Sequence, residues 1–268
     1  MTPPLPLDDL LQLARDAGDA ILKIYNTDFE VERKQDNSPL TEADLASHRT
    51  IVATLERLTP DIPVLSEESA SIPYETRRDW QRYWLIDPLD GTREFVKRNG
   101  EFTVNIAYIE AHQPVLGVVY APVLDRIYYG IGGEGAWKQE AGAPAEVIRV
   151  AGELRHPAQV AGSRSHAGDS LKRFLDKLGE HELVSMGSSL KLCLVAEGVA
   201  DIYPRLGPTS EWDTAAAQAV VEAAGGRVTT LDLQPLRYNT KDSLLNPHFL
   251  VFGDRTVNWP DYLDPETH

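Results

Sequence analysis

The 268-residue chain has a single cysteine, Cys193, and so cannot close a disulfide on itself. That count suits a reducing, cytosolic compartment, and the flanking Leu192 and Leu194 mark the thiol as a small buried group. No apolar run approaches the ~20 residues that a membrane helix needs. No basic-then-apolar leader is expected either: Met1 to Pro6 is proline-rich, and Asp8 and Asp9 follow. Basic residues are in deficit, 26 Lys and Arg against 41 Asp and Glu, for a net charge of −15. This balance argues against nonspecific nucleic-acid binding and against a polybasic membrane anchor. A small polyanionic substrate stays open, because a bound divalent cation and a few local Lys or Arg reverse the sign at a site. Repeats and low-complexity tracts are missing. Gly132-Gly133-Glu134-Gly135 lacks the lysine and following helix of a P-loop and reads as a structural turn.

What is present divides into two halves. Leu7 to Tyr25 has apolar residues at helical spacing, with acids in its first turn and Lys23 in its last. Val31 to Pro39 is polar and turn-rich, and a second helix is expected from about Glu42 to Leu58. Short strands follow at Pro63 to Leu65 and Tyr83 to Ile86. Phe102 to Ile109, Pro114 to Tyr120 and Arg126 to Ile131 then read as an antiparallel set joined by hairpin-sized connections. Composition shifts to Ala, Gly and Pro near Ala141 to Val150, which places a domain boundary there: an N-terminal α+β domain, 1–150, and an α/β domain, 151–253. In the second half, strands near Gln159, Leu183, Ala200, Val228 and Phe249 alternate with helices over Ser170 to Leu178, Ser189 to Ala196 and Trp212 to Ala224. Residues 254–268 read as a polar, frayed tail.

Acids gather where these elements end. The strand Tyr83 to Ile86 runs into Asp87-Pro88-Leu89-Asp90-Gly91-Thr92, with Thr92 where the N-cap of a short helical turn through Glu94 and Phe95 is expected. Two carboxylates suit a cation and the amides of a helix start suit an anion, so a divalent metal beside a phosphate is the economical reading. A strand before Ser66-Glu67-Glu68 also ends in acids, and Asp213 lies in the first turn of an Ala-rich helix. Each has an ordinary explanation as well: solvated glutamates, turn aspartates, a helix-start carboxylate, and for Asp44 a capping box with Thr41. A covalent aspartyl-phosphate of the haloacid dehalogenase type does not fit, since its two acids stand two residues apart and Asp87 and Asp90 stand three apart around a proline.

Taken in order, Ser66-Glu67-Glu68, Asp87 to Thr92 and Trp212-Asp213-x-Ala215-Ala216 resemble the inositol monophosphatase superfamily of metal-dependent, lithium-sensitive phosphatases. The likeness runs from about Leu7 to Phe252. It is strongest for the CysQ-type 3′(2′),5′-bisphosphate nucleotidase branch, through Asp90 to Thr103, Gly162-Ser163-Arg164-Ser165-His166, Gly187 to Lys191 and Tyr203 to Pro208. Arg93 replaces a more usual Lys, and the tail after Asp254 has no match. The resemblance implies a layered α-β-α-β-α sandwich and two to three Mg²⁺ ions. It assigns Glu67, Asp87 and the Leu89 carbonyl to one ion, Asp87, Asp90 and Asp213 to a second, and Glu67 to a weaker third. It further implies that Asp44 and Thr92, with Glu67, orient the attacking water and that the Gly91 and Thr92 amides meet the scissile phosphate. Ser188, Lys191 and Arg205 would grip a second phosphate, with His166 near the adenine.

The implied substrate is 3′-phosphoadenosine 5′-phosphate, cleaved to AMP and phosphate, with the sulfated analogue second, in connection with sulfate assimilation. Inositol-monophosphate and fructose-bisphosphate phosphatases share the chemistry, and a non-catalytic, metal-gated nucleotide binder is the alternative of a different class. Retention of Glu67, Asp44 and Thr92 favours an enzyme. A monomer and a homodimer both fit, as does a cytoplasmic protein with at most a loose hold on the inner face of the membrane.

Overall fold

The computed structural model describes residues 3–27, 31–33, 39–69, 71–162 and 168–264, with no side-chain description for 31–33 and 39–41. Helix α1 (Leu7–Tyr25) spans the range its periodicity predicts. Strands β1 (Val31–Arg33) and β2 (Pro39–Thr41) pair antiparallel ahead of α2 (Glu42–Leu58), where the sequence suggests only polar turns. Next come β3 (Val64–Ser66), a 3₁₀ turn (Glu67–Ser69), α3 (Tyr74–Arg77), β4 (Arg82–Asp90) and α4 (Thr92–Val96). A run of strands follows: β5 (Thr103–Glu110), β6 (Gln113–Ala121), β7 (Arg126–Ile131), β8 (Gly135–Glu140) and β9 (Glu146–Ile148). The remainder is β10 (Ala158–Gly162), α5 (Asp169–Leu178), β11 (His181–Ser185), α6 (Leu190–Ala196), β12 (Ile202–Arg205), α7 (Glu211–Ala223), β13 (Arg227–Thr230) and β14 (Phe249–Phe252).

β3 to β9 form one seven-stranded sheet in chain order, antiparallel except for the β3–β4 pair. The second sheet has the order β11-β10-β12-β14-β13. Alternation along the strands sorts side chains into layers. Trp84, Ile86, Val104 and Ile106 join α1 and α2 in one core, while Tyr83, Leu85, Ala107 and Ile109 face α6 and α7 in another. The second sheet gives Phe249 and Val251 to that central core, and Leu250 and Phe252 to an outer one with Phe174 and Leu175 of α5. The result is the expected α-β-α-β-α sandwich, with the α6–α7 layer shared by both sheets.

Close packing of α7 depends on missing side chains. A Cβ at Gly117 on β6 would stand 2.1 Å from the Ala216 carbonyl oxygen, and one at Gly130 on β7 2.6 Å from Val220 Cα. The alanines of α7 complete the fit, so Asp213 at its start is brought down onto the first sheet.

The segment after Asp254 differs from its reading as a frayed tail. Trp259 and Leu263 are buried beside Phe252 and α5, and Asp254 accepts hydrogen bonds from the Leu154 and Thr256 N–H groups. Val257 and Tyr262 pack against the same cluster, Lys177 Nζ donates to the Leu263 carbonyl and Arg173 pairs with Asp264, so the stretch is held through Asp264. Among the described residues, no helix is long and apolar enough to cross a membrane.

Candidate active site

The site is built from loop ends that the layers bring together. β4 does not stop at Ile86 but runs on to Asp90, with a register slip between Asp87 and Asp90 that fits Pro88 into the ladder. Pro88 has no N–H to give a neighbour. Its carbonyl instead accepts a hydrogen bond from Ser47 Oγ on α2, at 2.7 Å, while Leu89 N–H donates to Asp87 Oδ1 at 3.1 Å. Gly91, at φ +93°, then turns the chain into α4 and takes the cap position, one residue earlier than the expected Thr92.

Asp213 meets both of its explanations. Its Oδ2 accepts the Ser210 N–H at 2.8 Å, as a helix-start carboxylate does. It also lies with Asp87 and Asp90 in a group whose ligand atoms are all within 4.8 Å of one another. Glu67 stands beside this group, near enough for its charge to raise the pKa of all three. Asp44 is fully buried on α2, and its charge acts on Asp87 as well.

Burial is the largest cause holding these carboxyls above the ordinary range. Next come Glu67 for Asp87 and Asp90 for Asp213, while Lys191 and the Ser189 N–H pull Asp90 back down. So many acids in one buried space is a high-energy arrangement without a cation. The donors are all oxygen, which suits a hard ion such as Mg²⁺ and disfavours thiophilic metals. The residues therefore fit the metal that the sequence implies.

A cavity of about 510 Å³ opens from this cluster, and Asp90, Gly91, Asp213, Ser188, Lys191 and Arg205 are among the residues that line it. Lys191 is only 8% exposed. Its Nζ donates to the Ser188 and Met186 carbonyls at 2.7 and 3.3 Å and lies 5.8 Å from the Tyr203 ring centre. Burial pushes this ammonium down to about 8, against the pull of Asp90. Arg205 Nη2 donates to the Pro208 carbonyl, while Arg205 Nε and Ser188 Oγ are buried with no protein partner. His166 and the rest of 163–167 lie outside the described residues.

Three polar residues at the site escape sequence reasoning. Thr103 and Asn105 on β5 and Ser189 before α6 are fully buried and hydrogen-bonded together beside Asp90. A signal existed: Asn105 interrupts Val104-Asn105-Ile106-Ala107, and an amide inside a buried apolar strand needs a polar partner.

A profile of the inositol monophosphatase family matches residues 6–254, and the chain belongs to that family of phosphatases. Among its relatives, the 3′(2′),5′-bisphosphate nucleotidase CysQ of Salmonella typhimurium is 55% identical over 248 residues, 91% of this chain and 98% of that protein. The Escherichia coli K12 protein of the same name is 54% identical over the same shares. The crystal structure of CysQ from Bacteroides thetaiotaomicron superposes with a TM-score of 0.80 at 44% identity, covering 91% of this chain and 96% of that one.

Proposed function

We propose that the protein is a Mg²⁺-dependent 3′(2′),5′-bisphosphate nucleotidase that removes the 3′-phosphate of 3′-phosphoadenosine 5′-phosphate to give AMP and phosphate, with the 5′-phosphosulfate analogue as a second substrate. The observation that carries this is the cavity itself. Its lining combines the acids Asp90 and Asp213 with Ser188, Lys191 and Arg205, and Ser188 Oγ and Arg205 Nε are buried without a hydrogen-bond partner. A substrate with two phosphates gives both the acids, through a cation, and the Ser188, Lys191 and Arg205 group an anion to hold; a monophosphate leaves one of the two groups unused. The names of the relatives support the same activity.

Glu67, Asp87, Asp90, Asp213 and the Leu89 carbonyl would hold two Mg²⁺ ions, with Glu67 reaching a weaker third. Bound there, Mg²⁺ supplies Lewis acidity for in-line attack of water on phosphorus, one of the slowest reactions without a catalyst. Asp44 would fix the Thr92 hydroxyl, and Thr92 and Glu67 would orient the attacking water. The Gly91 and Thr92 amides hold the scissile phosphate, while Ser188, Lys191 and Arg205 hold the 5′-phosphate. His166 is assigned to the adenine. The protein is taken as cytoplasmic, a monomer or homodimer, with a division near residue 150 between a half that carries the metal loop and a half that completes the metal site through Asp213 and binds the nucleotide.

Phosphate release with Mg²⁺ from 3′-phosphoadenosine 5′-phosphate, inositol 1-phosphate and fructose 1,6-bisphosphate tests the assignment. The nucleotide is expected to give the highest kcat/KM. A preference for inositol 1-phosphate, or no turnover of any of the three, would overturn it.

A further inference from the structure

Thr103, Asn105 and Ser189 have no part in the reaction as set out above, yet they join Asp90 to the segment that carries Ser188 and Lys191. Thr103 and Asn105 are two residues apart on β5 and so share a face. The ladder sets Thr103 opposite Asp90 and Asn105 opposite Asp87. Ser189 Oγ lies 2.9 Å from Asn105 Oδ1 and 2.9 Å from Thr103 Oγ1. A hydroxyl has one proton, so Ser189 donates to Asn105 and accepts from Thr103. The amide nitrogen of Asn105 is then turned to Asp90 Oδ2, 3.5 Å away, and the backbone N–H of Ser189 reaches that same oxygen at 2.6 Å.

One residue of the second half is thereby tied to β5 through its side chain and to Asp90 through its main chain. Its neighbours are the anion grip. Ser188, just before it, sits at φ +45°, a left-handed conformation that a residue with a Cβ keeps only when its surroundings impose it. Ser189 fixes one side of that residue, and Lys191 Nζ fixes the other by holding the Ser188 and Met186 carbonyls. Ser188 also leans on the metal loop, with its Cβ 3.3 Å from where a Cβ on Gly91 would stand. Ser189 is thus bonded to Asp90 and lies next in the chain to Ser188, whose carbonyl Lys191 holds.

We propose that Ser189, held by Thr103 and Asn105, is a positioning residue that couples the second-phosphate grip to Asp90, so that Mg²⁺ and the nucleotide 5′-phosphate promote each other's binding. This rests on the assignment of Ser188, Lys191 and Arg205 to that phosphate. Such coupling is reciprocal: the factor by which Mg²⁺ tightens the nucleotide equals the factor by which the nucleotide tightens Mg²⁺.

Titration calorimetry on the full chain measures both factors, with AMP as the probe because it keeps the 5′-phosphate and is not turned over. Wild-type protein is expected to bind AMP about 5- to 10-fold more tightly with Mg²⁺ and to show the same factor for Mg²⁺ with AMP. Thr103→Val keeps the shape and removes the donor to Ser189, and Ser189→Ala removes the side-chain tie to β5 that holds the Ser189 N–H on Asp90. Each should lower the factor below about twofold, and Thr103→Ser should restore it. Direct attraction between Mg²⁺ and phosphate survives these substitutions, so it is separated from coupling through Ser189. Ligand-free melting curves identify a variant that merely misfolds, in which case the near-isosteric Thr103→Val decides. Independent binding of AMP and Mg²⁺ to wild-type protein overturns the proposal, as does a full factor in a folded Thr103→Val variant. Failure of wild-type protein to bind AMP at all overturns instead the phosphate assignment on which it stands.

Discussion

Lys191→Met separates function from stability at a single atom. Methionine keeps most of the apolar stem that packs in the α6 layer and removes only the ammonium. If that ammonium holds the 5′-phosphate, its loss removes a charged hydrogen bond worth about 1.5–3 kcal/mol, or about 10- to 150-fold in kcat/KM. The loss should fall on 3′-phosphoadenosine 5′-phosphate and spare 3′-AMP, which has no second phosphate to place against Lys191. Stability should move the other way. Burial depresses the Lys191 pKa from 10.5 to about 8, and at about 1.4 kcal/mol per unit that charge costs the fold about 3 kcal/mol. The two hydrogen bonds to the Ser188 and Met186 carbonyls offset part of it, at about 1 kcal/mol each. Metal-free Lys191→Met is therefore expected to be at least as stable as wild type near neutral pH, by about 1 kcal/mol on these figures.

The pH dependence follows from the sign of the shift. A lysine with a folded pKa below its unfolded one carries its full penalty below about pH 8 and loses it as pH rises toward 10.5. The advantage of Lys191→Met should thus be present at pH 7 and gone near pH 10.5 in urea melts with EDTA. Equal losses of kcat/KM on the bisphosphate and on 3′-AMP would refute the role in reading the second phosphate. A variant less stable than wild type by more than about 2 kcal/mol at pH 7 would refute the account of the buried charge.

Asp90→Asn and Asp213→Asn should each remove most activity, and a thermal-shift titration should show Mg²⁺ raising their melting temperatures less than that of wild type; near wild-type turnover at low Mg²⁺ would contradict the metal assignment. Li⁺, close to Mg²⁺ in size with half its charge, should inhibit phosphate release at concentrations where Na⁺ at matched ionic strength does not; equal sensitivity would count against it. Gly117→Val drives a side chain into the Ala216 carbonyl, where the Cβ alone would come within 2.1 Å. It should cost about 3 kcal/mol or more and lower the melting temperature by roughly 6–12 °C, and a wild-type melting curve would show that α7 does not lie on the sheet as described.

How much could be read beforehand depended on how local each signal was. Leu7 to Tyr25 declares its helix through its own spacing, and the hairpins from Thr103 to Ile131 through alternation and short connections. The acids at Glu67, Asp87, Asp90 and Asp213 were visible too, because a carboxylate at an element end is a property of a few neighbouring residues. The resemblance gave Ser188 and Lys191 a phosphate; it could not say that Lys191 is buried or that Ser188 is left-handed and precedes the helix. Asp44 shows the limit most directly. As sequence it is a capping residue, and only the packing of α2 against β4 places its buried carboxylate where it acts on Asp87. Tertiary structure alone decided that Ser189, 99 positions after Asp90, donates its N–H to that carboxylate, and that its hydroxyl meets Asn105, 84 positions away. The periodicities that write helices and strands into a chain act over a few residues. Such long-range bonds are set by how closely two sheets approach through a shared helix layer, and that distance is fixed by side-chain volumes across the whole core, down to the missing Cβ atoms of Gly117 and Gly130.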